Sequence, residues 1–301
     1  MTCPGVKRTV LVGVGLTTAY TLLISSADAI TKLFAAQYAA PQLFALSGGL
    51  VAFFSILANR NPNGTWRGLR TVCPRAMAVR AVATVAGTLA FFYAFRFLPF
   101  AEVFLFIALI PLIAALLSGP VLGEPVQKQV WCALAFGVLG MACLFPTGFD
   151  SIGPGHFVAF CAVCLGTVSM VASRYIGQRD DNLLAQVFYP NLALMAVMLC
   201  ALPFVFAPMS LRDVGLATTY AGLLFLARWL LVTALSLMPA YVVTPLMNLQ
   251  FIWMVIIGFF VFSEKPGAGV YIGAFVIIAA GGWLVWDQSR PSPKNMVMPA
   301  Q

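Results

Sequence analysis

The stretch that decides the fold is Phe91–Glu124, FFYAFRFLPFAEVFLFIALIPLIAALLSGPVLGE. One apolar run ends in the tight break Arg96-Phe97-Leu98-Pro99-Phe100. A second apolar run follows, and Gly123-Glu124 stops it. The same order recurs further along the chain. Ala94, Pro99, Val103, Val121 and Glu124 fall on Ala234, Pro239, Val243, Val261 and Glu264, a constant offset of 140 residues. The stop Gly123-Glu124 corresponds to Ser263-Glu264. Few residues are identical, but run, proline break, run and glutamate stop keep their order. Two related halves follow from that echo.

Composition says what the runs are for. Of 301 residues, 61% are hydrophobic and only 9% charged, with a mean hydropathy of +0.96. Soluble domains carry about 25% charged residues, so this chain lacks the polar surface to cover itself in water. Gln129–Phe149, Asn182–Leu211, Trp229–Ser263 and Pro266–Trp286 hold no charge at all. Each is long enough to supply the roughly 20 residues of a spanning helix. The reading is an all-α membrane protein with ten transmembrane helices. They run at about Val10–Phe34, Pro41–Ala58, Ala76–Phe95, Ala101–Leu122, Val130–Phe145, Gly153–Ile176, Leu184–Phe206, Val214–Leu237, Ala240–Phe262 and Gly267–Trp286. Residues 10–147 form the first five-helix repeat, 148–288 the second, and 289–301 a polar cytoplasmic tail.

Charge sets the orientation. With the N-terminus inside, the inner segments hold Lys7, Arg8, Arg60, Arg67, Arg70, Arg75, Lys128, Arg174, Arg179, Arg290 and Lys294. The outer segments hold only Arg96, Arg212 and Lys265. That bias puts both termini in the cytoplasm of a bacterium and the chain in its inner (plasma) membrane. Five spans per half is an odd number, so the second half enters from the opposite side: an inverted repeat. The net charge of +8 therefore orients helices and does not point to nucleic acid. The fifth and tenth spans are rich in Gly and Ala, which suits close helix packing as a scaffold or a dimer contact.

No phosphate-cradling Gly-x-x-x-x-Gly-Lys-Ser/Thr motif is present, so ATP does not drive this chain. No His-Glu-x-x-His and no nucleophile triad suggests an enzyme. Cys161-x-x-Cys164 lacks a second pair and is expected to pack rather than bind metal. No cofactor or metal is expected.

Charges within spans cost about 2.5–3.5 kcal/mol each at the bilayer centre, so those present carry information. Asp28 and Lys32, four residues apart, share a helix face and are either a neutralised pair or cavity-lining groups. Glu102 opens the fourth span, and Arg228 lies deep in the eighth. Arg80 and Arg96 lie near span ends, where they can snorkel, and are set aside. Phe91, Tyr93, Trp229 and Trp253 are the candidate walls of a site for an organic molecule. Asn191 and Asn248 are mid-span amides that need partners. Asp28, Lys32, Phe91, Tyr93, Glu102, Asn191, Arg228, Trp229, Asn248 and Trp253 make up the expected substrate-binding set. Pro111 and Pro245 interrupt spans and are candidate gating points.

The motifs AFRFLPFAEVFLF…PLIAALLSGPVLGEP (Ala94–Pro125) and ALSLMPAYVVTPLMNLQFIWMVIIGFFVFSEKP (Ala234–Pro266) resemble the EamA-type carriers of the drug/metabolite transporter superfamily. SADAITK at Ser26–Lys32 resembles the Asp-x-x-x-Lys of one branch, which includes riboflavin, S-adenosylmethionine and general metabolite transporters. The resemblance implies a ten-helix carrier without ATP hydrolysis, with a central cavity built from spans other than the fifth and tenth. One departure counts against a riboflavin or nucleotide-like substrate. That branch often carries an arginine in the second span, where this chain reads Phe44-Ala45-Leu46-Ser47. The expectation is a secondary-active transporter moving a small organic metabolite, an amino acid or related compound, outward by alternating access. The alternative is an importer of a vitamin, an S-adenosylmethionine-like metabolite or an osmolyte. Protons, the lipid bilayer and a second copy of the chain are the further partners the sequence leaves open.

Overall fold

The computed structural model describes residues 4–58, 69–122, 153–180, 182–237 and 247–288, with a few residues between 131 and 142. Every element described is a helix. They are α1 (Pro4–Gln37), α2 (Ala40–Ala58), α3 (Pro74–Phe97), α4 (Phe100–Ile107), α5 (Ile110–Leu122), α6 (Pro154–Gly177), α7 (Leu183–Val205), α8 (Leu211–Leu237), α9 (Gln250–Phe262) and α10 (Ala268–Gln288). Among the described residues, five helices are long and apolar enough to cross a membrane: residues 40–58, 74–97, 154–177, 184–205 and 211–231. Most of the expected fifth span lies outside the described residues, as do Pro245 and the Gly123-Glu124 stop.

Local chemistry explains where the helices begin. Pro74 and Pro154 each stand in the first turn of their helix, where a missing N–H leaves no bond unmade. Asn182 caps α7, its side-chain oxygen accepting from the Ala185 amide at 3.2 Å. At the end of α9, Ser263 adopts φ 54°, the left-handed conformation that glycine takes most readily. The corresponding residue of the first half is Gly123.

The expected single span Ala101–Leu122 is a correction: it is two helices, α4 and α5, broken at Ala108-Leu109. Pro111 has no N–H to give Ile107. The ladder tightens instead, with Leu109 N bonding Phe106 O at 3.0 Å and Leu112 N bonding Leu109 O at 3.0 Å. A second break stands at Asn248-Leu249, in register with the first at the same offset. There Ile252 N bonds Leu249 O at 3.0 Å, as Leu112 N bonds Leu109 O. Pro190 lies inside the unbroken helix α7.

The helices pair reciprocally. α1 packs on α8, α3 on α6, α2 on α7, and α4 on α9. By repeat position, first meets third in both directions, second meets second, and fourth meets fourth. Such pairing is what a two-fold relation between two sets of helices produces. Lipid is as apolar as leucine, so these contacts depend on close approach rather than on burial from water. Ala27, Ala35, Ala217, Ala221 and Ala227 have no exposed surface where α1 meets α8. A Cβ on Gly87 of α3 would lie 3.3 Å from the Gly166 amide of α6, and one on Gly48 of α2 would lie 3.0 Å from the Asn191 carbonyl of α7.

The connections gather at two ends of the bundle. At one end, Tyr38 Oη donates to Asp213 Oδ2 at 2.7 Å, and Gln42 Nε2 donates to the Ala207 carbonyl at 2.7 Å. At the other, the Val72 amide donates to Asp180 Oδ2 at 2.9 Å, and Met77, Ile176 and Ala185 pack together. Arg70, Arg75, Arg174 and Arg179 belong to the second end, and Arg96, Arg212 and Lys265 to the first.

Candidate functional site

The interior groups fall along one line. Asp28 lies nine residues before the end of α1, about 13 Å below the first end at 1.5 Å per residue. Its Oδ2 accepts a hydrogen bond from Gln250 Nε2 at 3.0 Å. Gln250 opens α9 directly after the Asn248-Leu249 break, and its own carbonyl accepts from Ser25 Oγ at 3.4 Å. One turn along each helix, Trp253 Nε1 donates to Thr21 Oγ1 at 3.1 Å. The break thus aims a short helix at α1, and two side-chain bonds hold it there.

Arg228 lies on α8, facing the interior deeper than Asp28. Tyr20 of α1 and Tyr220 of α8 stand within electrostatic reach of both Asp28 and Arg228. Asp28 and Arg228 are not an ion pair, and no described carboxylate lies within 4.0 Å of Arg228. The interior therefore presents a carboxyl group, a guanidinium and two phenols within electrostatic reach of both. It could receive a molecule carrying both signs of charge.

Lys32 does something else. Its ammonium is 2.7 Å from Glu264 Oε1 and donates to the Leu98 carbonyl at 2.8 Å. Asp28 and Lys32, which share a face of α1, therefore each have a different partner. Glu102 has His156, with Nε2 to Oε2 at 3.8 Å, while His156 Nδ1 accepts from the Gly153 amide at 3.1 Å and so caps α6.

The remaining expected residues separate by burial. Asn191 is buried, and its Nδ2 donates to Val187 O of its own helix at 2.7 Å. Asn248 contributes its carbonyl to the break, accepting from Phe251 N at 3.1 Å. Phe91 packs beside Gly166. Tyr93 is on the outside beside Phe97. Trp229 is 62% exposed on the outer surface, although Arg228 next to it points inward.

Residues 10–145 match the EamA-like transporter family. The first half of the chain is an EamA-like transporter domain. Two relatives align with most of the chain, and both are named "S-adenosylmethionine uptake transporter". One, from Rickettsia bellii (strain RML369-C), is 19% identical over 229 residues, which is 76% of this chain and 78% of the relative. The other, from Rickettsia prowazekii (strain Madrid E), is 20% identical over 224 residues, 74% and 75% respectively. A solved crystal structure, 19% identical, shares the fold with a TM-score of 0.59 over 94% of this chain and 99% of its own. The chain is thus similar to EamA-like transporters over residues 10–145 and carries several apolar, membrane-length helices.

Gln250, a mid-span amide that needs a partner, and Glu264, the second-half stop, both stand outside the expected binding set, and Tyr220 carries no sequence signal of its own. Gln250 and Tyr220 lie in apolar runs where only their polar atoms mark them. Arg80, set aside as a snorkelling group, is placed differently: its Nε is buried and has no hydrogen-bond partner among the described residues.

Proposed function

We propose that this EamA-like protein is a secondary carrier for a small organic metabolite bearing an amino-acid group, of the S-adenosylmethionine type. It works by alternating access between two inverted five-helix repeats. The observation that carries the reading is the separation of Asp28 from Arg228 in the interior, with Tyr20 and Tyr220 within electrostatic reach of both. Asp28 would hold the substrate's ammonium or sulfonium, Arg228 its carboxylate, and Trp253 with the tyrosines its flat or apolar part.

The reciprocal helix pairing and the two breaks at one repeat offset support the inverted repeat. A helix broken at mid-depth leaves backbone carbonyls open on a polar interior, and it can bend there. Uptake is the direction that the relatives' shared name supports, in place of the export expected above. The missing second-span arginine matters less once Arg228 is seen to supply an interior positive charge. Both termini in the cytoplasm of the inner membrane complete the proposal.

The test is uptake of radiolabelled S-adenosylmethionine and of L-methionine into proteoliposomes of the purified chain. Wild type should accumulate one of them above protein-free vesicles. Asp28→Asn and Arg228→Gln should each reduce the rate at least tenfold at matched protein. Wild-type rates for the two Asp28 and Arg228 variants would remove the site. No uptake of either compound would remove the substrate class.

A further inference from the structure

Arg80 is the group that the reading above leaves unexplained. It lies in the second turn of α3, on the face that continues through Thr84, Gly87 and Phe91 against α6. Its carbonyl accepts from Ser169 Oγ at 3.4 Å, and Ser169 in turn meets Thr84 at 2.7 Å, so the backbone here is fixed. The guanidinium Nε is out of solvent with no acceptor among the described residues. Arg80 and Arg228 are within electrostatic reach of one another. Two like charges in a poorly hydrated interior repel each other, and each prefers a counter-charge.

The chain has few to offer. Its sequence contains nine carboxylates. Five of them are engaged elsewhere: Asp28 with Gln250, Glu102 with His156, Asp180 with Val72, Asp213 with Tyr38, and Glu264 with Lys32. Glu124, Asp150, Asp181 and Asp287 fall between or after the apolar runs in the sequence. None lies within a run, as Arg228 does.

We infer that Arg80 and Arg228 together form an oxyanion seat, whose missing partner is the carboxylate or other oxyanion of the transported molecule. This deepens the carrier reading and rests on it for the identity of the ligand, but not for the anion site itself. An Arg fork presents parallel N–H groups to two oxygens, so two such forks can enclose a planar carboxylate from both sides. Arg80 would then be a specificity-determining residue that separates substrates with an oxyanion from the same molecules without one.

The experiment uses the full-length chain in detergent and inorganic sulfate as the probe. The unfolding midpoint is followed against sulfate, with ionic strength held constant by chloride. Wild type should show a saturable rise. Arg80→Gln and Arg228→Gln should each lose it, while Arg80→Lys should keep the charge and retain part of it. Arg70→Gln, outside the interior, should respond as wild type does. A wild-type midpoint indifferent to sulfate, or an Arg80→Gln response equal to wild type, overturns the seat. If Arg80→Gln does not fold, Arg80→Lys decides: its half-saturating sulfate should rise at least fivefold, and an unchanged value refutes the inference. Uptake assays report on the carrier reading separately. A sulfate response without S-adenosylmethionine or L-methionine uptake would keep the seat and discard that substrate class.

Discussion

Lys32 of α1 and Glu264, after α9, are joined at 2.7 Å, and the same pair closes on the turn between α3 and α4 from both sides. The Lys32 ammonium takes the Leu98 carbonyl, and Glu264 Oε2 accepts from the Phe100 amide at 2.7 Å. Glu264 therefore caps α4, whose N-terminal N–H groups favour a negative charge. The left-handed turn at Ser263 puts it there. One ion pair ties the first span, the first-half break and the second-half stop together at a single end of the bundle.

That arrangement makes the pair a latch on this end. Lys32→Ala and Glu264→Gln should each loosen it, since a charge-assisted hydrogen bond contributes about 1.5–3 kcal/mol. A cysteine placed at Phe97 should then react faster with a membrane-impermeant maleimide than it does in the unaltered background. Equal labelling rates would show that the latch holds nothing.

Ser263 itself gives a second prediction. A non-glycine residue in the left-handed region costs about 1–2 kcal/mol, and the first half uses Gly123 at the matching place. Ser263→Gly should raise the unfolding midpoint while Glu264 keeps its bonds. Ser263→Val should lower it. A fall on Ser263→Gly would mean that the hydroxyl, not the backbone, is what matters.

Gly273 approaches the carbonyl of Gly140 so closely that a Cβ there would lie 2.5 Å from the oxygen, and 3.0 Å from Leu105 Cδ2. Backbone cannot yield as a flexible side chain can. Gly273→Val should destabilise the protein by about 1–3 kcal/mol, the usual range for overpacking. Denaturation in a detergent series measures it. Gly282, with nothing within 4 Å of its would-be Cβ, should accept alanine without loss.

Much of this was legible in the sequence. Ten apolar runs, the 140-residue echo and the basic bias of alternate connections are one-dimensional properties, and the helices and their two ends follow from them. Partnership was not legible. Spacing puts Asp28 and Lys32 on one face of α1, but the partners Gln250 and Glu264 come from residues more than two hundred positions away. Nor could composition tell Trp229 from Trp253. Both sit in apolar runs, and only the rotation of each helix sends one outward and the other toward Thr21. Arg80 looked able to reach an interface, and only the packing of α3 on α6 shows its Nε cut off from solvent.

At the opposite end, Asp180 holds the chain before α3 to the start of α7. Its carboxylate accepts from the Asn182 amide at 3.0 Å and the Val72 amide at 2.9 Å, and these bonds hold it below the usual carboxylate range. A depressed value in the fold means the stabilisation is whole above the unfolded value of about 3.9 and fades as pH falls through the lower one. Asp180→Ala should therefore lower the unfolding midpoint at pH 7, and the gap from wild type should narrow on acidification below about pH 4. A gap that does not change with pH would assign the effect to packing.

The two tryptophans give the sharpest comparison for the site. Trp253 is bonded through Nε1 to Thr21 Oγ1, one turn from the Ser25–Gln250 bond, so it fixes α9 against α1 where the break would let it swing. Thr21 also donates to the Thr18 carbonyl at 2.8 Å, so losing the indole leaves its hydroxyl satisfied. Trp253→Phe keeps the ring and removes one hydrogen bond, worth about 1 kcal/mol. It should slow uptake about fivefold with little change in expression. Trp229, exposed on the outside, should tolerate the same change with uptake unaltered. If Trp229→Phe were the damaging variant and Trp253→Phe the silent one, the interior face of this carrier would lie on the other side of α8, and Asp28 and Arg228 could not share a substrate.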